Sequence, residues 1–277
     1  MKGILELPWV DTFLRQFQDE YRKPPPSYTL QSPTREDMQY ILGTAREKDP
    51  FDTAGLKNES AAALQSGHAI ATKAVSALGE IIVISFKKDP LHPPWNLWWR
   101  CVRLLSPQKK VRILIFAHPK KRELPPQGTR IGPEHVNGGA AYRCNPQSIV
   151  IYRKEEVSRV LVHELFHASC SDPYHLDTPY IEADTEAWAE MFLCGMAAKG
   201  MPSPFVRHMR EQIDWAVRQA ATLKDKYKVY SSKEYAWRYL IGRLEVWRRL
   251  GIQVPSPSTE YAKVESLRFT ICEPKDD

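Results

Sequence analysis

Two histidines and an acid stand close together in the segment RKEEVSRVLVHELFHASC, which holds His163, Glu164 and His167. On a helix of 3.6 residues per turn, positions four apart lie one above the other, so His163 and His167 can aim two ring nitrogens at one point. That is how a helix offers two ligands to a zinc ion. Glu164 is turned about 100° from His163, which sets it beside the metal, where a carboxylate can take a proton from a water that the metal activates. Val157, Val160, Leu161, Val162, Leu165 and Phe166 make the segment apolar on nearly every side. A five-residue match of this kind also arises by chance on core helices. A buried helix that keeps two histidines and a glutamate inside nevertheless needs a reason for them.

A catalytic zinc takes three ligands from the protein. The next helical segment, PYIEADTEAWAEMF, carries Glu182, Glu186 and Glu190 at steps of four, which places all three on one stripe. An acidic stripe is ordinarily a solvated face. Here its neighbours are Ala183, Ala187, Trp188 and Met191, and an HExxH segment precedes it, so a stripe facing a metal explains it better. His175 is a further candidate.

HELFH, followed by eighteen residues and then Glu186, resembles the gluzincin metallopeptidases, zincins whose third ligand is a glutamate on the helix after the active-site helix. The resemblance implies a zinc metallopeptidase acting on a peptide or protein substrate. It implies one zinc per chain, held by His163, His167 and Glu186, with Glu164 as general base. Glu190 resembles the acid that orients a ligand histidine in that family. Glu182, with only fourteen residues between it and His167, makes a tighter connection than the family usually shows. His175 departs from the metzincin pattern HExxHxxGxxH, because Cys170 stands at the glycine and Pro173 at the third histidine. The family also implies a strand that pairs with the substrate, which SIVIY or NGGAAYR is placed to supply, with Gly138 and Gly139 allowing close approach. A Tyr or His usually stabilises the tetrahedral intermediate, and Tyr174, His175, Tyr180, His208 and Tyr230 are all eligible. Two other classes compete: a structural or interaction protein with a zinc-stabilised zincin core, and a protein recruited to nucleic acid through basic surfaces. Glu164 favours the peptidase, since a structural zinc needs no base beside it.

The elements that must position these residues read as α+β, zincin-like, with a small mixed sheet packed on the HExxH helix and followed by a mainly helical half. Apolar β-rich runs at Gly79 to Phe86, Val111 to His118 and Ser148 to Tyr152 supply the strands. Helical patterns cover Glu155 to Cys170, Tyr180 to Lys199, Pro204 to Tyr227 and Ser232 to Leu250. Residues 1–33, with three consecutive prolines, read as an arm or linker; 34–78 as a helical region; 79–255 as the metallopeptidase domain; 256–277 as a tail. Trp95, Trp98, Trp99 and Leu104 read as core or groove residues.

The 277 residues are 43% hydrophobic and 26% charged, values that exclude a wholly disordered, collagen-like or coiled-coil chain. No run reaches the roughly 18 apolar residues of a membrane span, and MKGILELPWV lacks the apolar stretch of a secretion signal. The expectation is a soluble, intracellular protein whose five cysteines, scattered and never in a CxxC pair, are buried thiols. The net charge of +6 is unevenly spread: residues 87–130 hold eleven basic side chains against two acids, and residues 171–200 hold six acids against Lys199. Lys109, Lys110, Lys120, Lys121 and Arg122, with Arg207, Arg210, Arg218, Arg243, Arg248 and Arg249, are either solvated faces or a surface for an anionic partner. No nucleic-acid motif accompanies them.

Overall fold

A computed structural model describes residues 3–105, 109–173, 175–256, 264 and 266–274. In chain order its elements are α1 (Val10–Tyr21), β1 (Tyr28–Gln31), α2 (Arg35–Arg46), α3 (Leu56–Gln65), β2 (Ala69–Ser76), β3 (Gly79–Phe86), α4 (Trp95–Leu105) and β4 (Val111–His118). There follow α5 (Pro133–Val136), β5 (Gly139–Ala140), β6 (Ile149–Arg153), α6 (Val157–Ala168), α7 (Thr178–Ala197), α8 (Pro202–Tyr227), α9 (Trp237–Leu240) and α10 (Gly242–Arg249). The chain is mixed α+β, and its contacts divide it into two units. Among the described residues, one comprises 25–121 and 137–171, and the other comprises 3–24, 122–136 and those from 172 onward.

The first unit is built on a six-stranded sheet of order β1-β2-β3-β4-β6-β5. The three apolar runs expected to be strands are its parallel centre, with β3 beside β4 and β4 beside β6. Their near-continuous hydrophobicity has a plain cause, since the sheet is covered on both faces. Ile82 and Ile84 of β3 and Leu114 and Phe116 of β4 pack with Ile41 and Ala45 of α2 and Ala61 of α3. The alternate residues Ile81, Val83, Ile113 and Ile115 point to the other face and are equally buried. On that side α6 packs on β6 and β5, and α4 packs on α6. Trp98 is fully buried and donates its indole N–H to Ser158 Oγ at 2.8 Å, which ties α4 to the first turn of α6.

Two expectations are corrected here. Residues 69–76 form β2, antiparallel to β3, and are not helical. Helix α3 stops at Gln65, and Gly67 turns the chain at φ 75°, so the alanine-rich composition gives way to pairing with an apolar neighbour strand. The helix that carries HELFH begins at Val157, because Glu156 holds a left-handed backbone at φ 57°. Glu155 and Glu156 therefore precede the helix and do not occupy its first turn.

In the second unit, α7 and α8 run through a core that includes Ala187, Met191, Phe205, Ala216, Leu240 and Trp247. Helix α1, read from sequence as part of an arm, buries Val10, Leu14 and Phe17. The expected single helix from Ser232 to Leu250 is interrupted, with α9 ending and α10 beginning around Ile241. Gly242 opens α10 at a tight contact, where a Cβ would meet Ala183 Cβ at 2.7 Å and the Trp237 ring at 2.9 Å. No described helix is long and apolar enough to cross a membrane.

Candidate metal centre

Helix α6 buries what the sequence nominates. His163, Glu164 and His167 are 5%, 4% and 8% exposed. The two imidazoles face each other edge-on at 80°, with Nε2 to Nε2 at 3.0 Å. Two nitrogens bound to one tetrahedral zinc at about 2.05 Å would stand about 3.3 Å apart, so the pair is already near the separation that a shared ion demands. The distance also fits a hydrogen bond in which one ring nitrogen donates and the other accepts.

The short strand β5 reaches Glu164. It is antiparallel to β6 and forms the sheet edge, with Gly139 opposite Ile151 and Ala140 opposite Val150. A Cβ added to Gly139 would stand 2.7 Å from Val160 Cγ1 and 3.1 Å from Glu164 Oε1. Only a residue without a side chain lets this edge lie so close to the helix; the neighbours of Gly139 are Val160 and Glu164 of α6, a different contact from the approach of a substrate backbone expected there. Tyr152 holds the edge in place, since its backbone N–H donates to Gly138 O at 2.8 Å and its hydroxyl donates to Gly139 O at 2.7 Å. Arg153, 1% exposed, adds a second anchor, donating to Asn137 O at 2.8 Å and to Lys120 O and Lys121 O at 3.1 Å. The sequence offered no sign of these roles, because SIVIYR reads as strand whatever its hydroxyl and guanidinium bind.

The C-terminal end of α6 overturns the expectation of five thiols. Cys144 and Cys170 form a disulfide, whereas Cys101, Cys194 and Cys272 are free and buried. The two partners are separated by 26 positions, a span that no spacing rule singles out. Folding brings them together because the backbone N–H of Cys144 donates to His167 O at 2.9 Å, laying the β5–β6 connection against the helix end.

The acids of α7 differ in environment. Glu190 is fully buried and lies 3.5 Å from the equally buried Arg243, which also donates to Phe269 O and Gln219 Oε1 at 2.8 and 2.7 Å. Glu186 is 1% exposed. Glu182 is half-buried and close enough to Tyr239 for its charge to act on that hydroxyl. Burial first, and the Glu182 charge second, raise the Tyr239 pKa well above the ordinary phenol value.

Among the other candidates, Tyr174 lies outside the described residues, and His175 is exposed. Tyr180 is 43% exposed with its hydroxyl 3.4 Å from Ser232 Oγ, His208 lies 3.8 Å from Glu211, and Tyr230 is 59% exposed. The basic segments do not form one surface set. Arg122 and Arg243 are interior and bonded to backbone carbonyls, Arg218 and Arg249 pair with Asp214 and Asp184, and Arg248 donates to Val254 O and Pro255 O. Lys109, Lys110, Lys120 and Lys121 remain exposed.

Compared with known proteins, the chain matches no family model, no curated protein and no solved structure.

Proposed function

We propose that this chain is a zinc-dependent metallopeptidase of zincin-like architecture, with His163 and His167 as metal ligands and Glu164 as general base. One observation carries the reading: a buried HExxH helix whose two imidazoles converge, with the intervening glutamate lying under a sheet-edge glycine. Two imidazoles and one carboxylate are a known donor set for catalytic zinc. The resemblance to the gluzincins makes Glu186 of α7 the proposed carboxylate, with Glu182 as its rival. Within the stripe Glu182 is half-buried, Glu186 is almost wholly enclosed, and Glu190 is engaged by Arg243.

When bound, zinc supplies a Lewis acid that lowers the pKa of a water and polarises a carbonyl oxygen. The residues of the chain do the rest. Glu164 accepts the proton of the attacking water and passes it to the leaving amine, a role for which its burial beside β5 keeps competing solvent away. The place of β5 at the edge of the sheet supports an extended peptide as substrate, since a sheet edge is where another strand can be added. Elemental analysis tests the foundation: close to one zinc per chain is expected in reconstituted protein, lost in His163→Ala and His167→Ala. No transition metal in the reconstituted parent would refute the proposal.

A further inference from the structure

The Cys144–Cys170 bridge lies at the end of the helix that carries both histidines. The carbonyl of His167 accepts from both bridged residues, from Cys144 N–H at 2.9 Å and from Cys170 N–H at 3.2 Å. Both cysteines hold left-handed backbones, φ 59° and 61°, a conformation that side chains disfavour and that needs support from its surroundings. Cys170 follows the helix C-cap, where glycine is the usual residue, and Ser171 N–H closes the turn onto Phe166 O at 3.1 Å. On the other side, the loop after β5 is bonded partly to itself and partly to the start of β4, where Pro146 O accepts from Arg112 N–H at 2.8 Å and Gln147 donates to Lys110 O. Tyr142 N–H donates to Ser148 Oγ at 2.8 Å and Asn145 N–H to Tyr142 O at 3.0 Å, so the bridge is the covalent link between this loop and α6. Both sulfur-bearing residues are exposed, while the three free cysteines are buried.

We propose that Cys144–Cys170 is a thiol-exchange site that clasps the metal-binding end of α6, so that a dithiol opening it weakens metal retention at His163 and His167. The inference rests on the metal reading above. A thiolate of the dithiol attacks one bridge sulfur, and the other cysteine leaves as a thiolate that takes up a proton. The second thiol of the reagent then displaces the remaining cysteine sulfur, so the bridge gains two electrons and two protons while the reagent departs as a cyclic disulfide. Once opened, the turn that orients His167 keeps its hydrogen bonds but loses the covalent tie across 26 positions, and both cysteines can leave the left-handed region.

The test uses the full chain and Zn²⁺ or Co²⁺ as probe, with affinity read by chelator competition after the reductant has been removed. Thiol titration of denatured protein should rise from three to five on reduction. Reduced protein and Cys144→Ser/Cys170→Ser should both bind metal at least ~10-fold more weakly than the oxidised parent, the loss typical when support around a ligand histidine is removed. Reoxidation should restore the parent alone, and reductant should leave the double variant unchanged. Equal affinity before and after a titrated rise from three to five thiols would overturn the clasp. So would five thiols persisting after treatment with a disulfide oxidant. Absence of metal binding in every form would sink the peptidase reading instead, and amide exchange would then judge the clasp: no faster exchange at residues 167–171 on reduction overturns it as well.

Discussion

Helices α6 and α7 both bury ionisable side chains, and they do so by opposite means. On α7 a full negative charge at Glu190 meets a full positive charge at Arg243, both at 0% exposure, and the guanidinium spends its other donors on Phe269 O and Gln219 Oε1. Such a pair sets charge against charge within one core, and through Arg243 it links α7 to α10 and, at Gln219, to α8. On α6 the two imidazoles face each other with Nε2 to Nε2 at 3.0 Å, and in the function proposed above both nitrogens turn to one cation. Removing one member of the α7 pair would leave a buried charge uncompensated, whereas the proposed role of the α6 pair is to hold an ion.

Single substitutions break or sharpen this contrast, in descending order of expected effect. Glu164→Gln should keep its metal and its fold while peptide hydrolysis, followed on a broad peptide library, falls by about 10²- to 10⁴-fold. A rate equal to that of the parent would remove α6 from the category of reactive sites. Arg243→Ala leaves Glu190 buried without its counter-charge, and denaturant unfolding should report a loss of about 3–5 kcal/mol. His163→Ala, in metal-free protein, should cost clearly less; the reverse ranking would mean that α6 is the structural helix.

Glu186→Gln should weaken zinc binding at least ~10-fold, more than Glu182→Gln, as judged by chelator competition. The opposite order would make Glu182 the ligand and overturn the assignment that the eighteen-residue spacing favours. The smallest effect lies away from both helices. Thr34 caps α2, accepting from Asp37 N at 3.1 Å while Asp37 accepts from Thr34 N at 2.8 Å, and Thr34→Ala should cost about 1 kcal/mol with no change in metal affinity. Burial alone would raise the Asp37 pKa, but hydrogen bonds from Thr34 and Lys73 outweigh it and hold the value below 3.8. A depressed carboxyl contributes its stability above 3.8 and loses it as the pH falls through the folded value, so the gap between parent and Thr34→Ala should narrow in acid. A gap that widens below pH 4 would contradict that sign.

The local part of this molecule is legible from residue type and spacing. Strands β3, β4 and β6 announce themselves as continuous apolar runs because a doubly covered parallel sheet needs hydrophobic residues on both faces. HELFH declares its geometry because a helix repeats every 3.6 residues wherever it sits, so the histidine pair follows from a separation of four. Long-range relations are a different matter. Residues 69–76 carry an alanine-rich, helix-like composition, yet they became β2 because β3 offered a full row of backbone partners. The Cys144–Cys170 bridge, the hold of Tyr152 and Arg153 on the β5 edge and the Glu190–Arg243 pair join positions between 13 and 53 apart, and nothing in their own neighbourhoods names the partner. Spacing along one helix determined the chemistry that α6 can present. Which backbone approaches Glu164, which cysteines meet and which acid is neutralised were decided by the packing of distant segments, because those energies exist only once the segments touch.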